Sequence, residues 1–172
     1  MSSSKNPISK FFNFSEGEIS KGQDVKDLQL GRENGEPLTV KDFSGKWLVV
    51  YFYPKDNTPG CTKEAQTFSE MMADFREQEA EVIGVSADTE ASHQQFKEKH
   101  DLKVRLLSDP DGELARKFGI RIMFGMCSRD TILINPDSQV DAIHKGVSPK
   151  GSPGKLLTYI KNQNLIRSTK TT

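Results

Sequence analysis

The chain has 172 residues, of which 34% are hydrophobic, and its 24 basic and 24 acidic side chains give a formal net charge of zero. This length is typical of one domain with a sizeable core, and the balanced charge argues against a nucleic-acid binder, which usually carries a clustered basic face. No apolar run approaches the roughly 20 residues of a membrane-spanning helix.

Cysteine usage and the N-terminus bear on the compartment. Cys61 and Cys127 are the two cysteines, too few for a disulfide framework in a chain of this size. The first seven residues lack the apolar core of a secretory signal. The expected location is therefore a reducing compartment, most simply the cytoplasm. We expect residues 1–20 to form an N-terminal arm, with Phe11, Phe12 and Phe14 as candidate anchors. Whether this arm is partly disordered stays open, since free termini usually fray.

Hydrophobic periodicity and turn residues predict strands that alternate with helices. Predicted strands comprise a hairpin within 25–45, then 47–53, 81–86, 102–107 and a hairpin of 131–135 with 140–144. Predicted helices begin at residue 61 and near residue 89, followed by a short one around 114–118 and a last one over 155–162. This order predicts an α/β domain over 21–165 with a mixed central sheet flanked by helices, followed by a tail at 166–172.

The stretch most indicative of chemistry is the junction between the strand at 47–53 and the next helix. Pro54 ends the strand, a polar turn follows, and Cys61 opens the helix. Helix N-termini favour negative charge and stabilise a thiolate. Cys61 lies four residues before Ala65 on the inward face of the helix, so its thiol should be partly buried. We expect Cys61 to be a reactive nucleophile rather than a structural cysteine.

A thiolate also needs a cation and hydrogen-bond donors. Thr58 lies three residues before Cys61, and its hydroxyl could bond both thiolate and substrate. Lys55 and Lys63 lie close to Cys61 in the sequence, although the ordinary interpretation of each is a solvated surface charge. Arg129, at the mouth of the strand 131–135, offers a fork of donors. Spacing alone leaves it one candidate among several arginines.

The segment 51–65 reads Tyr-Phe-Tyr-Pro-Lys-Asp-Asn-Thr-Pro-Gly-Cys-Thr-Lys-Glu-Ala. It closely resembles the active-site signature of the peroxiredoxins, and most of all that of the bacterioferritin-comigratory, or PrxQ, subfamily. Residues 85–93, 106–112 and 129–137 extend the resemblance, which covers about residues 22–163. A Pro-x-x-x-Thr-x-x-Cys core together with an arginine far downstream is a specific combination.

The resemblance implies a thioredoxin-like fold and the reduction of hydrogen peroxide and organic hydroperoxides. By the same resemblance, Cys61 is the peroxidatic cysteine, Thr58 bonds the peroxide, Pro54 shields the pocket and Arg129 activates the thiolate. Glu64 matches a glutamate common in the subfamily, and it also reads as a first-turn acid favoured by the helix dipole. No metal, haem or flavin is implied. His93, His100 and His144 show no metal-ligand spacing.

The regeneration of Cys61 is where the chain departs from the pattern. Many relatives carry a resolving cysteine five residues after the first, and Gln66 occupies that position here. If the segment before Arg129 is extended, Cys127 and Arg129 point to the same side, toward the active site. An intramolecular disulfide between Cys61 and Cys127, a one-cysteine cycle with an external thiol, and an intersubunit or structural role for Cys127 all stay open.

Two other functions compete with a thiol peroxidase. A thioredoxin-like disulfide reductase favours a Cys-x-x-Cys pair, and residue 64 is a glutamate. The alternative from a different class is a redox-sensing or chaperone-like protein that uses Cys61 as a switch. The expected partners of the peroxidase are a peroxide and a thiol reductant such as thioredoxin, glutaredoxin or glutathione, with neither nucleic acid nor membrane. The expected state is a monomer or weak homodimer.

Overall fold

The computed structural model describes residues 19–33 and 35–170. The nine strands are β1 (Gln29–Glu33), β2 (Glu36–Thr39), β3 (Trp47–Phe52), β4 (Ala80–Ser86), β5 (Arg105–Ser108), β6 (Ile122–Met123), β7 (Met126–Cys127), β8 (Thr131–Ile134) and β9 (Val140–His144). The helices are α1 (Pro59–Glu70), α2 (Met72–Glu77), α3 (Glu90–His100), α4 (Glu113–Lys117) and α5 (Ser152–Lys170), with a 3-10 turn at Val40–Phe43. The candidate anchors Phe11, Phe12 and Phe14, and most of the arm predicted at 1–20, lie outside the described residues.

The central sheet is mixed, as predicted. Its five strands follow the order β5-β4-β3-β8-β9. The pairs β3–β4 and β4–β5 are parallel, whereas β3–β8 and β8–β9 are antiparallel. All six residues of β3 are buried, because helices or the β1–β2 hairpin cover both faces of the sheet. The predicted strands at 47–53 and 81–86 and the hairpin 131–144 are confirmed.

Alternate residues of β3 face two separate hydrophobic clusters. Val49 and Tyr51 face a cluster that also holds Phe68 of α1 and Phe96 of α3. Leu48, Val50 and Phe52 face the other, which the β1–β2 hairpin and α4 cover. Since successive side chains of a strand point to opposite faces of the sheet, the two clusters lie on its two sides.

The strand predicted at 102–107 is shorter in the structure. Asp101 ends α3 in a left-handed conformation with a φ of 50°, and the Leu102 amide bonds the Lys97 carbonyl. Leu102 and Val104 are buried against the helical side of the sheet before pairing begins. These two residues are therefore buried by packing at the end of α3 and not by strand pairing. Pairing with β4 starts only at Arg105.

The last helix is longer than the predicted 155–162, because it continues to Lys170. The proposed tail at 166–172 is thus helical over most of its length. Asn164 accepts a hydrogen bond of 2.7 Å from Trp47 Nε1 and donates to the Gln78 carbonyl. Leu165 and Ile166 are exposed, so this turn shows no apolar period that would reveal a helix. No helix among the described residues is long and apolar enough to span a membrane.

Gly84 of β4 lies where the sheet has no room for a larger residue. A Cβ there would lie 2.6 Å from Tyr51 Cζ, and that ring is itself stacked on Phe68 at 4.6 Å. We expect Gly84→Ala to lower the free energy of unfolding by about 1–3 kcal/mol, the usual cost of overpacking a core. Urea unfolding followed by circular dichroism measures this change.

Gly154 of α5 provides the matched control. A Cβ there meets no atom within 4 Å, and alanine favours a helix more than glycine does. Gly154→Ala should therefore leave stability unchanged or raise it. Equal destabilisation by the two substitutions would contradict this account of Gly84.

Candidate active site

Cys61 lies in the first turn of α1, as predicted. Thr58 is the N-cap residue, Pro59 is the first helical residue, and Cys61 is the third. Proline suits that first position because its φ matches the helix and its missing N–H has no partner to lose there. The Cys61 side chain points inward and is 1% exposed, so the predicted burial on the inward face is confirmed.

Arg129 reaches Cys61 from 68 residues further along the chain. Its Nη2 lies 3.4 Å from Cys61 Sγ. The register of the sheet explains this contact, because Thr131 of β8 pairs with Tyr51 of β3 and the Phe52 amide bonds the Asp130 carbonyl. Residue 129 is thereby placed beside the end of β3, where the active-site turn begins.

Gly60 allows the guanidinium to approach closely. A Cβ at that position would lie 3.0 Å from Arg129 Nη2, so a side chain there would crowd the contact with Cys61.

Burial alone would lower the pKa of Arg129, but the negative charges of Cys61 and Glu64 outweigh it and raise that pKa. Arg129 is therefore a permanent cation beside the thiol.

Glu64 is the second partner of Arg129. Its Oε1 accepts a hydrogen bond of 2.8 Å from Arg129 Nη1, and the side chain is fully buried. Its Oε2 has no hydrogen-bond partner among the described residues. Burial raises the pKa of Glu64 to about 7, against the opposing charge of Arg129. The alternative of a first-turn acid favoured by the helix dipole is wrong, because α1 begins at Pro59 and its first turn contains no acidic residue.

Thr58 stands at the mouth of the site and is half-buried. Its hydroxyl donates a hydrogen bond of 2.8 Å to the Lys55 carbonyl, which leaves its oxygen lone pairs free to accept from a bound hydroperoxide. Lys55 and Lys63 are exposed, as expected of solvated surface charges. Of the cations that the sequence suggested, Arg129 alone has a hydrogen bond to Cys61 in the described part of the chain.

Pro54 is half-buried and borders an apolar recess next to the β6–β7 hairpin. Met123, Phe124 and Met126 of that hairpin line the recess and are exposed. Cys127 also lines it, with only 3% of its surface exposed. The shielding role expected for Pro54 stays a prediction.

The expectation that Cys127 and Arg129 point to the same side is wrong. Cys127 packs in the cluster that holds Val50 and Phe52, whereas Cys61 packs in the cluster on the other side of the sheet. The strand ends at Cys127, and the Asp130 amide then bonds the Ser128 carbonyl. This tight turn breaks the two-residue alternation on which the expectation depended.

The chemistry of Cys127 also differs from that of a reactive thiol. Burial, reinforced by nearby carboxylates of which Asp109 is the strongest, raises the pKa of Cys127 to about 12. Only the thiolate is nucleophilic, so this shift disfavours the reaction of Cys127 at neutral pH.

The sequence missed Asp56 and His93 as site residues. Asp56 lies in the turn between Pro54 and Cys61, and His93 Nδ1 lies 2.8 Å from its Oδ2. Metal-ligand spacing along the chain does not reveal this contact, which joins two of the resembling stretches, 51–65 and 85–93. Asp56, Asp88 and His93 do bring ligand atoms within 4.8 Å of one another, although hydrogen bonds already engage Asp56 and His93 with each other.

The chain is similar to known proteins over most of its length. The model of the AhpC/TSA family matches residues 21–143. The chain belongs to the AhpC/TSA family. It is 37% identical over 153 residues to "Peroxiredoxin Bcp" of Bacillus subtilis, covering 85% of this chain and 98% of the relative. It is also 35% identical to the chloroplastic peroxiredoxin Q of japonica rice, covering 85% and 69%.

Solved structures show the same fold. The bacterioferritin comigratory protein of Xanthomonas campestris, described in terms of its alkyl peroxide reduction activity, superimposes with a TM-score of 0.75 at 33% identity. The match covers 87% of this chain and 99% of that one. The expected thioredoxin-like fold, membership of the PrxQ group and the assignment as a peroxiredoxin enzyme are therefore confirmed.

Glu64 should make the stability of this peroxiredoxin depend on pH. Its pKa is about 7 in the folded chain against 4.5 when unperturbed, so between these values the native state retains a proton that the unfolded chain has released. The free energy of unfolding should fall as pH rises through this window, by on the order of 3 kcal/mol. Chemical denaturation from pH 4.5 to 7.5 measures the slope.

Glu64→Gln should flatten that slope, because an amide does not titrate. The matched control is Glu70→Gln, an exposed position of the same helix, which should keep it. A parent slope that Glu64→Gln leaves intact would refute the assignment.

Proposed function

We propose that Cys61 reduces hydrogen peroxide and organic hydroperoxides and is itself oxidised to a sulfenic acid. The observation that carries this proposal is the contact of 3.4 Å between Arg129 Nη2 and Cys61 Sγ, made in the first turn of a helix. The fixed cation and the helix N-terminus both stabilise a thiolate. The Xanthomonas relative, whose described activity is alkyl peroxide reduction, supports the same substrate class.

The oxidation follows from the positions of these groups. The Cys61 thiolate attacks the terminal oxygen of the hydroperoxide, a sulfur–oxygen bond forms, and the oxygen–oxygen bond breaks. The departing alkoxide or hydroxide takes a proton and leaves as alcohol or water. Arg129 stabilises the charge that shifts from sulfur to the leaving oxygen, while the Thr58 oxygen accepts from the hydroperoxide O–H. Pro54 limits the access of water.

Glu64 acts on Cys61 through Arg129. Its hydrogen bond of 2.8 Å to Nη1 fixes the guanidinium so that Nη2 faces the sulfur. A fork of donors held at one end is preorganised at the other. Glu64 is therefore a positioning residue in this proposal.

For the return to the thiol, we propose a one-cysteine cycle with an external reductant. One thiol condenses with the sulfenic acid to a mixed disulfide and water, and a second thiol releases Cys61 and leaves as the oxidised disulfide. Three observations support this route: Gln66 occupies the local resolving position, Cys127 packs across the sheet, and its pKa is about 12.

The external reductant is proposed to be a thiol such as thioredoxin, glutaredoxin or glutathione, and the cytoplasm is the proposed location, since it keeps such thiols reduced. We propose a monomer or weak homodimer, because the exposed large apolar side chains of the described residues fall into two separate places, the β6–β7 hairpin and the end of α5. The alternative of a sensing or chaperone-like switch is not favoured, because the relatives are named as peroxiredoxins.

Loss of Arg129 should slow the peroxide step. We expect Arg129→Lys to lower its second-order rate constant by about 10²–10³-fold, the usual effect of removing one preorganised donor, and Cys61→Ser to abolish the reaction. Trp47 belongs to the same buried cluster as Cys61, so stopped-flow tryptophan fluorescence measures the rate. Arg121→Lys, at an exposed position, is the matched control and should behave as the parent.

The one-cysteine cycle predicts the product of a single oxidation. After one equivalent of peroxide, mass spectrometry should show a gain of one oxygen at Cys61, trapped by a sulfenic-acid reagent such as dimedone. Cys127→Ser should give the same product in the same yield. A monomer that loses two hydrogens, and that no longer does so when Cys127 is replaced, would establish the intramolecular disulfide instead.

A further inference from the structure

The active-site turn carries a buried carboxylate that bonds to Tyr53, Ser92 and His93 rather than to Cys61. Asp56 is 5% exposed. Its Oδ1 accepts from Tyr53 Oη at 2.6 Å, and its Oδ2 accepts from Ser92 Oγ and lies against His93 Nδ1, each at 2.8 Å. Burial alone would raise the pKa of Asp56, but these hydrogen bonds, His93 first, hold it below its usual value. Asp56 is therefore ionised at neutral pH.

His93 completes an ion pair with Asp56. It is 4% exposed, and its Nε2 lies 3.1 Å from the Leu107 carbonyl. A carbonyl oxygen and an ionised carboxylate can only accept hydrogen bonds. Both ring nitrogens therefore face groups that accept hydrogen bonds. Removing either member would leave buried polar atoms of the other without this partner, which is unfavourable.

The ion pair joins the active-site turn to three other parts of the domain. His93 and Ser92 belong to α3, and Leu107 belongs to β5. The Asp56 backbone amide donates to Asp88 Oδ2 at 2.8 Å, in the connection between β4 and α3. The turn is thus connected through Asp56 and His93 to α3, to β5 and to the β4–α3 connection.

The position of this anchor in the turn matters for Cys61. Asp56 lies between Lys55, whose carbonyl accepts the Thr58 hydroxyl, and Asn57, which has a left-handed φ of 65°. Thr58 in turn is the N-cap of α1, and its carbonyl accepts from the Thr62 amide. The backbone between Asp56 and Thr58 therefore sets both the orientation of the Thr58 oxygen and the place where the helix starts.

The two half-reactions require opposite conformations of this turn, closed for the peroxide step and open for the thiol step. Attack on a peroxide requires Thr58, Cys61 and Arg129 in the arrangement described above. Reduction requires that an external thiol reach a sulfur on a side chain that is 1% exposed, which is attainable only when the first turn of α1 opens.

We propose that Asp56 and His93 are positioning residues, and that their ion pair holds the turn closed for the peroxide step at the expense of the thiol step. This inference rests on the proposed peroxidase function. It differs from a general contribution to stability because it assigns opposite effects to the two half-reactions.

The test measures both half-reactions in Asp56→Asn and His93→Gln. Stopped-flow Trp47 fluorescence gives the rate constant for hydrogen peroxide. For the return, the enzyme is oxidised with one equivalent of peroxide and then mixed with glutathione as the probe thiol. We expect the peroxide constant to fall about tenfold and the glutathione constant to rise above that of the parent. Since the two residues act as one pair, the double variant should fall no further than either single variant.

His100→Gln is the matched control, because His100 lies on the same helix and contacts Phe96 instead of the active-site turn. It should leave both constants at the parent values. If the His93 or Asp56 variants do not fold, Ser92→Ala removes one hydrogen bond to Asp56. It should lower the peroxide constant about twofold and raise the glutathione constant.

The outcomes separate this inference from the proposed function. A parent enzyme that reacts with peroxide no faster than free cysteine overturns the peroxidase itself. A fast parent whose folded variants match His100→Gln overturns the role of the ion pair. Equal losses in both half-reactions also overturn it, because general loosening of the fold would produce them.

Discussion

The Arg129 guanidinium is the interaction on which the active site depends. It donates to Cys61 Sγ from one nitrogen and to Glu64 Oε1 from another, so one cation serves two groups that can both be anionic. Glu64 is fully buried and keeps one oxygen without a hydrogen-bond partner among the described residues. A buried carboxylate in that position is costly when charged, and its raised pKa expresses that cost. Its benefit is a guanidinium held in one orientation.

The central strand delivers these groups to one place. Strand β3 leads directly into the turn and helix that carry Cys61, while antiparallel pairing with β8 brings Arg129 to the same end. The parallel pairing with β4 brings α3, and with it His93, against the other side of the turn. Arg129 therefore contacts Cys61 and Glu64 of α1, while the Asp56–His93 ion pair anchors the turn that precedes this helix.

The same sheet keeps the two cysteines apart. Cys61 and Cys127 pack in clusters on opposite sides of β3, so a disulfide between them would require one of the segments to leave its core. A disulfide also requires its two Cα atoms to lie within about 7 Å of each other. Burial among apolar side chains and carboxylates gives Cys127 a pKa far above neutrality, whereas Cys61 is next to a permanent cation. The fold thus places the two thiols in different surroundings, one beside a cation and one among apolar side chains.

Much of the fold could be predicted because the relevant signals are local. The apolar run at Trp47 and the helical spacing of Ala65, Phe68 and Phe75 reflect periodicities of 2 and 3.6 that each element imposes on its own sequence. The predictions failed where a distant contact decides the structure. A hydrogen bond from Trp47 to Asn164 joins β3 to the last helix. The exposed turns of that helix beyond Asn164 show no apolar period that would predict them.

The sequence by itself determined that Cys61 stands at the start of a helix after a buried strand, and its motif determined the family. Those properties depend on residues near one another in the chain. Only the tertiary structure decided that Arg129 is bonded to Glu64 as well as to Cys61, that Asp56 pairs with His93, and that Cys127 faces away. Strand register and the turn at Ser128 set these contacts, and both depend on packing between segments that lie far apart in sequence.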